Sequence, residues 1–428
     1  MTIDGLRINS ERLWARHMEM AEIGAIAGGG CRRLALSHED ARARDLFAGW
    51  CRDAGLEVIA DRAGNMFAIR AGRRARTPML AAGSHLDTQP HGGRFDGISG
   101  VLAALEVLET LNDAAIETEA PLAAVNWTNE EGVRFTPGLL GSSWFTGQME
   151  YERLAALPAG DGPTFAEALE VTGWNGRATP EDLPLAAFLE LHIEQGPTLE
   201  AEGAQVGVVA SVQGLRWLDV AIEGTDGHAG TTPMDRRQDA LLAGSRIVAA
   251  LADAGRAAGP DARVSVGRML SATNGPSTIA GRVDLVIDVR HPNAATLDGL
   301  AEACTEICRS VAQKENCAVE VRERVAVQPQ TFDTACVEAV DAAAGRLGYR
   351  RMRMSSGALH DASNIATITP TAMIFVPCRD GISHNVREYA APDDLAAGTN
   401  VLLHALLSLD SSGISVPARA GRGGRPRR

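Results

Sequence analysis

Read for hydrophobic periodicity, the chain falls into three stretches. In the first, residues 12–26 and 38–54 carry apolar positions three and four apart, the spacing of amphipathic helices, with Ser37 placed to cap the second. Short strand-like runs at 56–60 and 65–70 flank Asp61-Arg62-Ala63-Gly64, a hairpin signal. Residues 79–84 are an apolar run that reads as a buried strand. Residues 100–111 read as a helix, with Val101, Leu102, Leu105, Val107 and Leu108 available for burial. Strands are predicted at 121–128 and 185–193, with a helix at 164–170 between them.

Near Gly214 the pattern changes. Residues 215–223 alternate apolar and polar as a half-exposed strand does. A helix at 237–257, strands at 263–270 and 283–290, a helix at 295–312 and a strand at 317–325 follow. That order, β-α-β-β-α-β, is the ferredoxin-like split motif. A unit of this kind, inserted at 214–327, is a self-contained second domain. Its open sheet or helix pair offers a face for dimerisation. The third stretch resumes α/β character, with a helix at 332–347, a loop and short helix from 357, a strand at 372–376 and a closing helix at 392–409. The first domain therefore comes in two segments, 1–213 and 328–416. The tail, 417–428, carries arginines among glycine, alanine and proline and reads as disordered.

A chain of 428 residues holds one large or two medium domains. Hydrophobic residues at 45% and charged residues at 22% are ordinary for a soluble globular protein. A net charge of −13 argues against nucleic acid as the main partner. No leader and no apolar stretch of membrane-spanning length is visible. The seven cysteines form no C-x-x-C pair and fit reduced thiols in a cytoplasmic protein. Cys304 and Cys308, one helical turn apart, read as buried small residues rather than metal ligands.

The chemistry gathers at strand ends. The run at 79–82 leads into His85-Leu86-Asp87, and residues two apart on an extended chain face one side. That pairing suits a metal-binding histidine and the carboxylate that orients it. Asp96 follows a glycine-rich loop and opens a helix. The strand ending at Thr128 runs into Asn129-Glu130-Glu131, two adjacent carboxylates whose repulsion a cation would relieve. His192 ends a strand before Gly196-Pro197, and His384 follows the strand at 372–376. Taken singly, each is an ordinary loop or an acidic turn. Together, His85, Asp96, Glu131, His192 and His384 fall where parallel strands converge on one edge. Five nitrogen and oxygen donors exceed one tetrahedral ion, so two divalent ions are expected, zinc or manganese, with cobalt or nickel as further candidates. Asp96 is the bridging candidate. Such a pair lowers the pKa of a water between the ions. Glu130, free of the metals, is the candidate general base. In the inserted domain, His228 sits in a glycine-flanked loop and could donate to an oxyanion, and Arg290 ends a strand with a guanidinium suited to a carboxylate. An interdomain salt bridge is the alternative for Arg290.

The motifs G-S-H-L-D-T, G-G-R-F-D-G, N-W-T-N-E-E-G-V-R-F, H-I-E-Q-G-P, H-A-G-T-T-P-M, D-V-R-H-P and G-I-S-H-N resemble those of the hydantoinase/carbamoylase-type amidase family. That family contains N-carbamoyl-L-amino-acid hydrolases, β-ureidopropionases and allantoate amidohydrolases, within the wider clan of dinuclear zinc aminopeptidases. The resemblance runs from residue 7 to residue 409. It implies a dinuclear zinc aminopeptidase-like catalytic domain with an inserted lid and dimerisation domain, and a homodimer. His85, Asp96, Glu131, His192 and His384 match the metal positions, Glu130 the base and Asp87 its partner. Gln195, His228 and Arg290 match substrate-binding positions. Ser277 stands where many carbamoylases carry asparagine, and Leu359 where a glycine is usual, so both touch the expected substrate pocket. The implied reaction removes the carbamoyl group from N-carbamoyl-L-amino acids or N-carbamoyl-β-alanine. Allantoate or ureidoglycolate hydrolysis is the next reading, N-acyl-amino-acid deacylation the third. A catalytically dead metal-binding protein is the reading from a different class.

Overall fold

The computed structural model describes residues 5–74, 77–273 and 275–413. Among them, fifteen strands are numbered in chain order. The first six are β1 (Glu57–Ala60), β2 (Met66–Arg70), β3 (Met79–His85), β4 (Leu122–Trp127), β5 (Leu185–Ile193) and β6 (Val206–Val212). Then come β7 (Gly214–Glu223), β8 (Gly227–His228), β9 (Arg263–Ser271), β10 (Thr278–Ile279), β11 (Arg282–His291) and β12 (Ala318–Val327). The chain closes with β13 (Gln330–Thr331), β14 (Arg351–Ser356) and β15 (Thr371–Val376). By compactness it divides into two units. One is Met1–Ala210, Phe332–Met354 and His360–Arg428; the other is Ser211–Thr331 and Ser355–Leu359.

The fold is mixed α/β around a central nine-stranded sheet of order β1-β2-β4-β3-β5-β15-β6-β13, with β14 against β6. Its middle, β4-β3-β5-β15, is parallel throughout. Every residue of β3, β4, β5 and β15 is buried, which is why they read as continuous apolar runs rather than alternating ones. The helix Ile98–Asp113 packs on β3, β4 and β5 and is buried on all sides from Ile98 to Leu111. The four parallel strands end in Trp127, His85, Ile193 and Val376, so their carboxyl ends share one edge.

The second unit holds a four-stranded antiparallel sheet of order β12-β7-β11-β9. The helices Ala240–Ala257 and Ala294–Lys314 cover one of its faces. Alternation decides which residues go in: Leu218, Val220, Ile222, Leu285, Ile287 and Val289 join the helices in one core. Cys304 and Cys308 lie in that core, as read.

Several boundaries move. The first helix is Ser10–Ala21, because the glycines after it turn the chain back and Ala25 bridges Cys31. The helix expected from 237 begins at Ala240, where Asp239 caps it by accepting from Leu241 N and Leu242 N. Ser37 caps the second helix as expected, accepting from Asp40 N. Strands β6 and β14 were not expected. The expected tail, 417–428, lies outside the described residues.

Candidate metal centre and active site

Four loops, one after each parallel strand, supply the site. His85 is the last residue of β3, and its Nδ1 donates to the Asp87 carbonyl at 2.8 Å. His192 sits one residue before the end of β5, with Nδ1 donating to the Ile193 carbonyl at 2.9 Å. Each bond engages Nδ1 and turns Nε2 to the centre. Asp96 lies between the imidazoles: Oδ1 is 3.1 Å from His192 Nε2 and Oδ2 is 3.1 Å from His384 Nε2. Gly97 follows with φ of +71°, and a Cβ there would come within 2.3 Å of the His85 ring, so glycine lets Asp96 close on the histidine. Glu131 Oε2 is 3.6 Å from His384 Nε2 and accepts from Gln89 Nε2 at 2.6 Å. Glu130 Oε2 is 3.5 Å from His85 Nε2. Gln195 Nε2 reaches both Asp96 oxygens, at 3.2 and 3.1 Å, and Ser383 Oγ at 3.1 Å.

Two donor sets emerge, His85–Asp96–His192 and Asp96–Glu131–His384, and they share Asp96. All five expected ligands are thus together. Two observations test whether a cation suits them. Glu131 Oε1 is buried and has no hydrogen-bond partner among the described residues. Among the described residues, no lysine or arginine lies within 4.0 Å of Asp96, Glu130 or Glu131; the partners there are histidines. An orphaned carboxylate oxygen among nitrogen and oxygen donors is what a divalent cation fits.

The electrostatics say the same. Burial, with repulsion from Glu131, Asp361, Asp96 and Asp87, raises the Glu130 carboxyl well above its ordinary range. Burial and Asp96 push Glu131 up to about 8. Burial and Asp40 push Asp87 up to about 7. Asp96 goes the other way: against burial, its hydrogen bonds to His192 and His384 hold it well below the usual carboxylate range. The bond to Asp96 raises His384 to about 9. Burial opposes the same effect at His192 but is overcome, to about 9. At His85 burial outweighs the attraction of Asp96 and the bond to the Asp87 carbonyl, and the pKa falls to about 4. These shifts describe a cluster with more carboxylate than cation.

One expectation changes. Asp87 orients His85 through its backbone carbonyl; its carboxylate stands 3.9 Å from that ring. The carboxylate instead accepts from Glu130 N and Glu131 N, each at 3.2 Å. Asp87 therefore anchors the peptide that carries the two glutamates.

The second unit holds the other expected residues. His228 is exposed, and its Nδ1 accepts from Gly230 N at 3.1 Å, which leaves Nε2 as the N–H donor. Ser277 is beside it: Ala229 N donates to the Ser277 carbonyl at 2.8 Å, and β8 pairs with β10. Arg290 sits one residue before the end of β11, on the face away from the helices, paired with Asp288 at 2.8 Å and donating to the Gly357 carbonyl at 3.0 Å. Leu359 is two residues further along that loop. Thus His228 goes with Ser277, and Arg290 with the loop of Leu359.

A family model described as peptidase family M20/M25/M40 matches residues 81–408. The chain belongs to that family. Over 401 residues it is 41% identical to the N-carbamoyl-L-amino-acid amidohydrolase of Rhizobium meliloti, covering 94% of this chain and 96% of that one. The allantoate amidohydrolase of Bacillus subtilis strain 168 is 32% identical over 393 residues, 91% of this chain and 95% of that one. Among solved structures, an amidase of the hydantoinase/carbamoylase family from Burkholderia multivorans matches with a TM-score of 0.90 at 45% identity, covering 94% and 98%. The resemblance read from the motifs is established.

This M20/M25/M40 chain also has polar residues behind the site that sequence reading left out. Glu190 sits within β5, accepting from Ser84 Oγ at 2.7 Å and from Ala362 N at 2.8 Å. The His360 ring tilts against His192, at 60° with ring centroids 4.5 Å apart. Asp361 accepts from Ser142 Oγ. Glu190, His192 and His360 lie close enough to form a third donor set. Both Glu190 oxygens are already hydrogen-bonded, so we read the set as a polar layer behind the centre. Glu388 ties two loops together, accepting from Phe95 N at 3.0 Å, Asp96 N at 3.1 Å and Ser383 Oγ at 2.9 Å. The available signal was a carboxylate inside an apolar strand for Glu190, and one four residues past His384 for Glu388.

Proposed function

We propose that this chain is a metal-dependent amidohydrolase that removes the carbamoyl group from N-carbamoyl-L-amino acids or N-carbamoyl-β-alanine. The products are the amino acid, carbon dioxide and ammonia. One observation carries the reading: two donor sets share Asp96, with the Glu130 carboxylate beside them. The activity named for the relative from Rhizobium meliloti supports the substrate class. We assign to His85, Asp96, Glu131, His192 and His384 two divalent cations, zinc or manganese first, cobalt or nickel next. A divalent cation held there supplies Lewis acidity, acidifying water and polarising the substrate carbonyl.

The chain's own residues do the rest. Glu130 takes a proton from the attacking water, which adds to the ureido carbonyl carbon. As the bond from that carbon to the amino-acid nitrogen breaks, Glu130 returns the proton to the nitrogen. The carbamate left behind falls to carbon dioxide and ammonia. Asp87 holds the base's peptide in place, and Gln195 holds Asp96. His228 Nε2–H donates to the carbonyl oxygen as charge develops on it. Arg290 holds the substrate carboxylate. Ser277 and Leu359 shape the pocket. We assign the second unit the parts of lid and dimerisation domain, supported by its uncovered sheet face. The seven buried free cysteines support a cytoplasmic location.

Allantoate also pairs a carboxylate with ureido groups, and the relative from Bacillus subtilis keeps that second reading in play. Ureidoglycolate and N-acetyl-amino acids follow. The test is ammonia release by metal-stripped protein reloaded with manganese or zinc, on N-carbamoyl-L-methionine, N-carbamoyl-β-alanine and allantoate, with amine release from N-acetyl-L-methionine. Metal-dependent turnover of a carbamoyl amino acid is expected. The variant Glu130→Gln should bind metal undiminished, by elemental analysis, and turn over about 10²–10⁴-fold more slowly. Turnover of allantoate alone, or a Glu130→Gln enzyme of near-normal rate, overturns the assignment.

A further inference from the structure

The donors of Arg290 can be accounted for one by one. A guanidinium carries five N–H groups in one plane. Nε donates to Asp288 Oδ1 at 2.9 Å and Nη2 to Asp288 Oδ2 at 2.8 Å. Asp288 stands two residues before Arg290 on β11, so both side chains project from the uncovered face of the sheet. Nη1 donates to the Gly357 carbonyl at 3.0 Å. Asp288 is itself held: Trp217, its direct cross-strand partner on β7, donates from Nε1 to Asp288 Oδ2 at 3.0 Å. The Arg324 guanidinium lies 5.2 Å from the centroid of the Trp217 ring. Three of the five N–H groups of Arg290 are therefore committed. Among the described residues, one on Nη1 and one on Nη2 are left, in a plane that Asp288 and Gly357 have already set.

We propose that Asp288 is a positioning residue for carboxylate recognition: with Trp217 and the Gly357 carbonyl it fixes the rotation of Arg290, so that the two remaining N–H groups meet a planar carboxylate on the substrate. The inference rests on the substrate reading above and deepens it. It also has a sign that separates it from a simpler view. Asp288 neutralises much of the charge on Arg290. If charge alone governed binding, removing that neutralisation would tighten the grip on a carboxylate. If orientation governs, losing the side-on clamp frees the guanidinium to rotate, and the grip loosens.

The experiment compares the metal-loaded wild type with Asp288→Asn and Trp217→Phe on N-carbamoyl-L-methionine and on its carboxamide, N-carbamoyl-L-methioninamide. Asparagine accepts at one atom only and presents N–H to N–H at the other. The KM of Asp288→Asn for the carboxylate substrate should rise on the order of tenfold, with kcat little changed. On the carboxamide, wild type and variant should have the same KM. Trp217→Phe, which keeps the ring and deletes one donor, should shift the same way by less, and Asp288→Glu should recover part of the loss. An unchanged or lower KM in Asp288→Asn overturns the proposal, as does an equal rise on both substrates. Should Asp288→Asn fail to fold, Trp217→Phe decides alone, and no carboxylate-selective rise in it counts against the proposal. A wild type that turns over neither compound defeats the substrate reading. A wild type that prefers the carboxylate, with variants that keep that preference, defeats only the role of Asp288.

Discussion

Histidine shows how little a residue's identity says without its place. His85 and His192 lie at the ends of buried strands, His384 follows one, and all three gather at Asp96. His17 is as buried as His85 and His192 but lies in the first helix, where Nδ1 donates to the Leu13 carbonyl at 2.9 Å and the ring tilts against Phe95. Burial lowers its pKa to about 4, against the Leu13 carbonyl, which raises it; the ordinary value is 6.5. The folded chain therefore refuses a proton that the unfolded chain takes between those values. The contribution of neutral His17 to stability is complete above 6.5 and is lost as the pH falls toward 4. The slope for one such group is at most about 1.4 kcal/mol per pH unit. In urea unfolding at several pH values, the stability gap between wild type and His17→Gln should narrow as the pH drops through this window; a constant gap would contradict the account. The ligand histidines were legible because an apolar run ending in His before a Gly- or Pro-bearing loop marks a strand end. Glu190 and Glu388 were not. A carboxylate inside an apolar strand, or in a loop past a histidine, has no visible purpose until the fold brings its partner beside it: Ser84, 106 residues from Glu190, and Phe95, 293 residues from Glu388.

At the scale of elements, what positions the site is the helix Ile98–Asp113 lying on β3 and β5. Asp96 enters that helix, and His85 and His192 end the two strands beneath it. Gly100 sits at the crossing: a Cβ there would stand 2.3 Å from the Leu191 carbonyl oxygen and 2.7 Å from Ser84 Cβ. The first of these neighbours is backbone in mid-sheet and cannot swing aside. Gly100→Ala should therefore cost about 1–3 kcal/mol in chemical denaturation, in line with overpacking elsewhere. It should also weaken metal binding in titration calorimetry, because the helix start that carries Asp96 is lifted from the strands. A variant of wild-type stability and wild-type metal affinity would show that the crossing is looser than drawn. The elements themselves were legible where one period dominates: β5 and β7 by their runs and alternation, the helix Ile98–Asp113 by its length of apolar turns. β14 was missed because Arg351 and Arg353 stand at its alternate positions, and charge hides a half-exposed strand. The first helix was drawn too long because Ile23 and Ile26 continue its spacing, while Gly24, at φ of +82°, has already left it.

For the molecule as a whole, the question is what holds a crowd of carboxylates at one edge of a sheet. Asp87, Asp96, Glu190, Asp361 and Glu388 are buried there, and Glu130 and Glu131 adjoin them. Among the described residues, hydrogen bonds answer for most of these oxygens, but not for Glu131 Oε1 or Asp361 Oδ2. Cations bound in the folded state alone stabilise it by about 2.7 kcal/mol at a hundredfold excess over their Kd, more at higher occupancy. All of the candidate ligands belong to the first compact unit, and none to Ser211–Thr331 or Ser355–Leu359. Chelation should therefore act on one unit and spare the other. In hydrogen exchange followed by mass spectrometry, removing metal should speed exchange in peptides spanning 85–100, 128–132, 190–196 and 381–389. The strands β7, β9, β11 and β12 should exchange at an unchanged rate, because their core is closed by Leu218, Ile222, Ile287 and their neighbours without any metal ligand. Faster exchange across both units would mean that the metals hold the whole chain together and not the loops at the sheet edge. No change in either would mean that the carboxylate cluster is stable by itself, and the case for cations at this edge would fail.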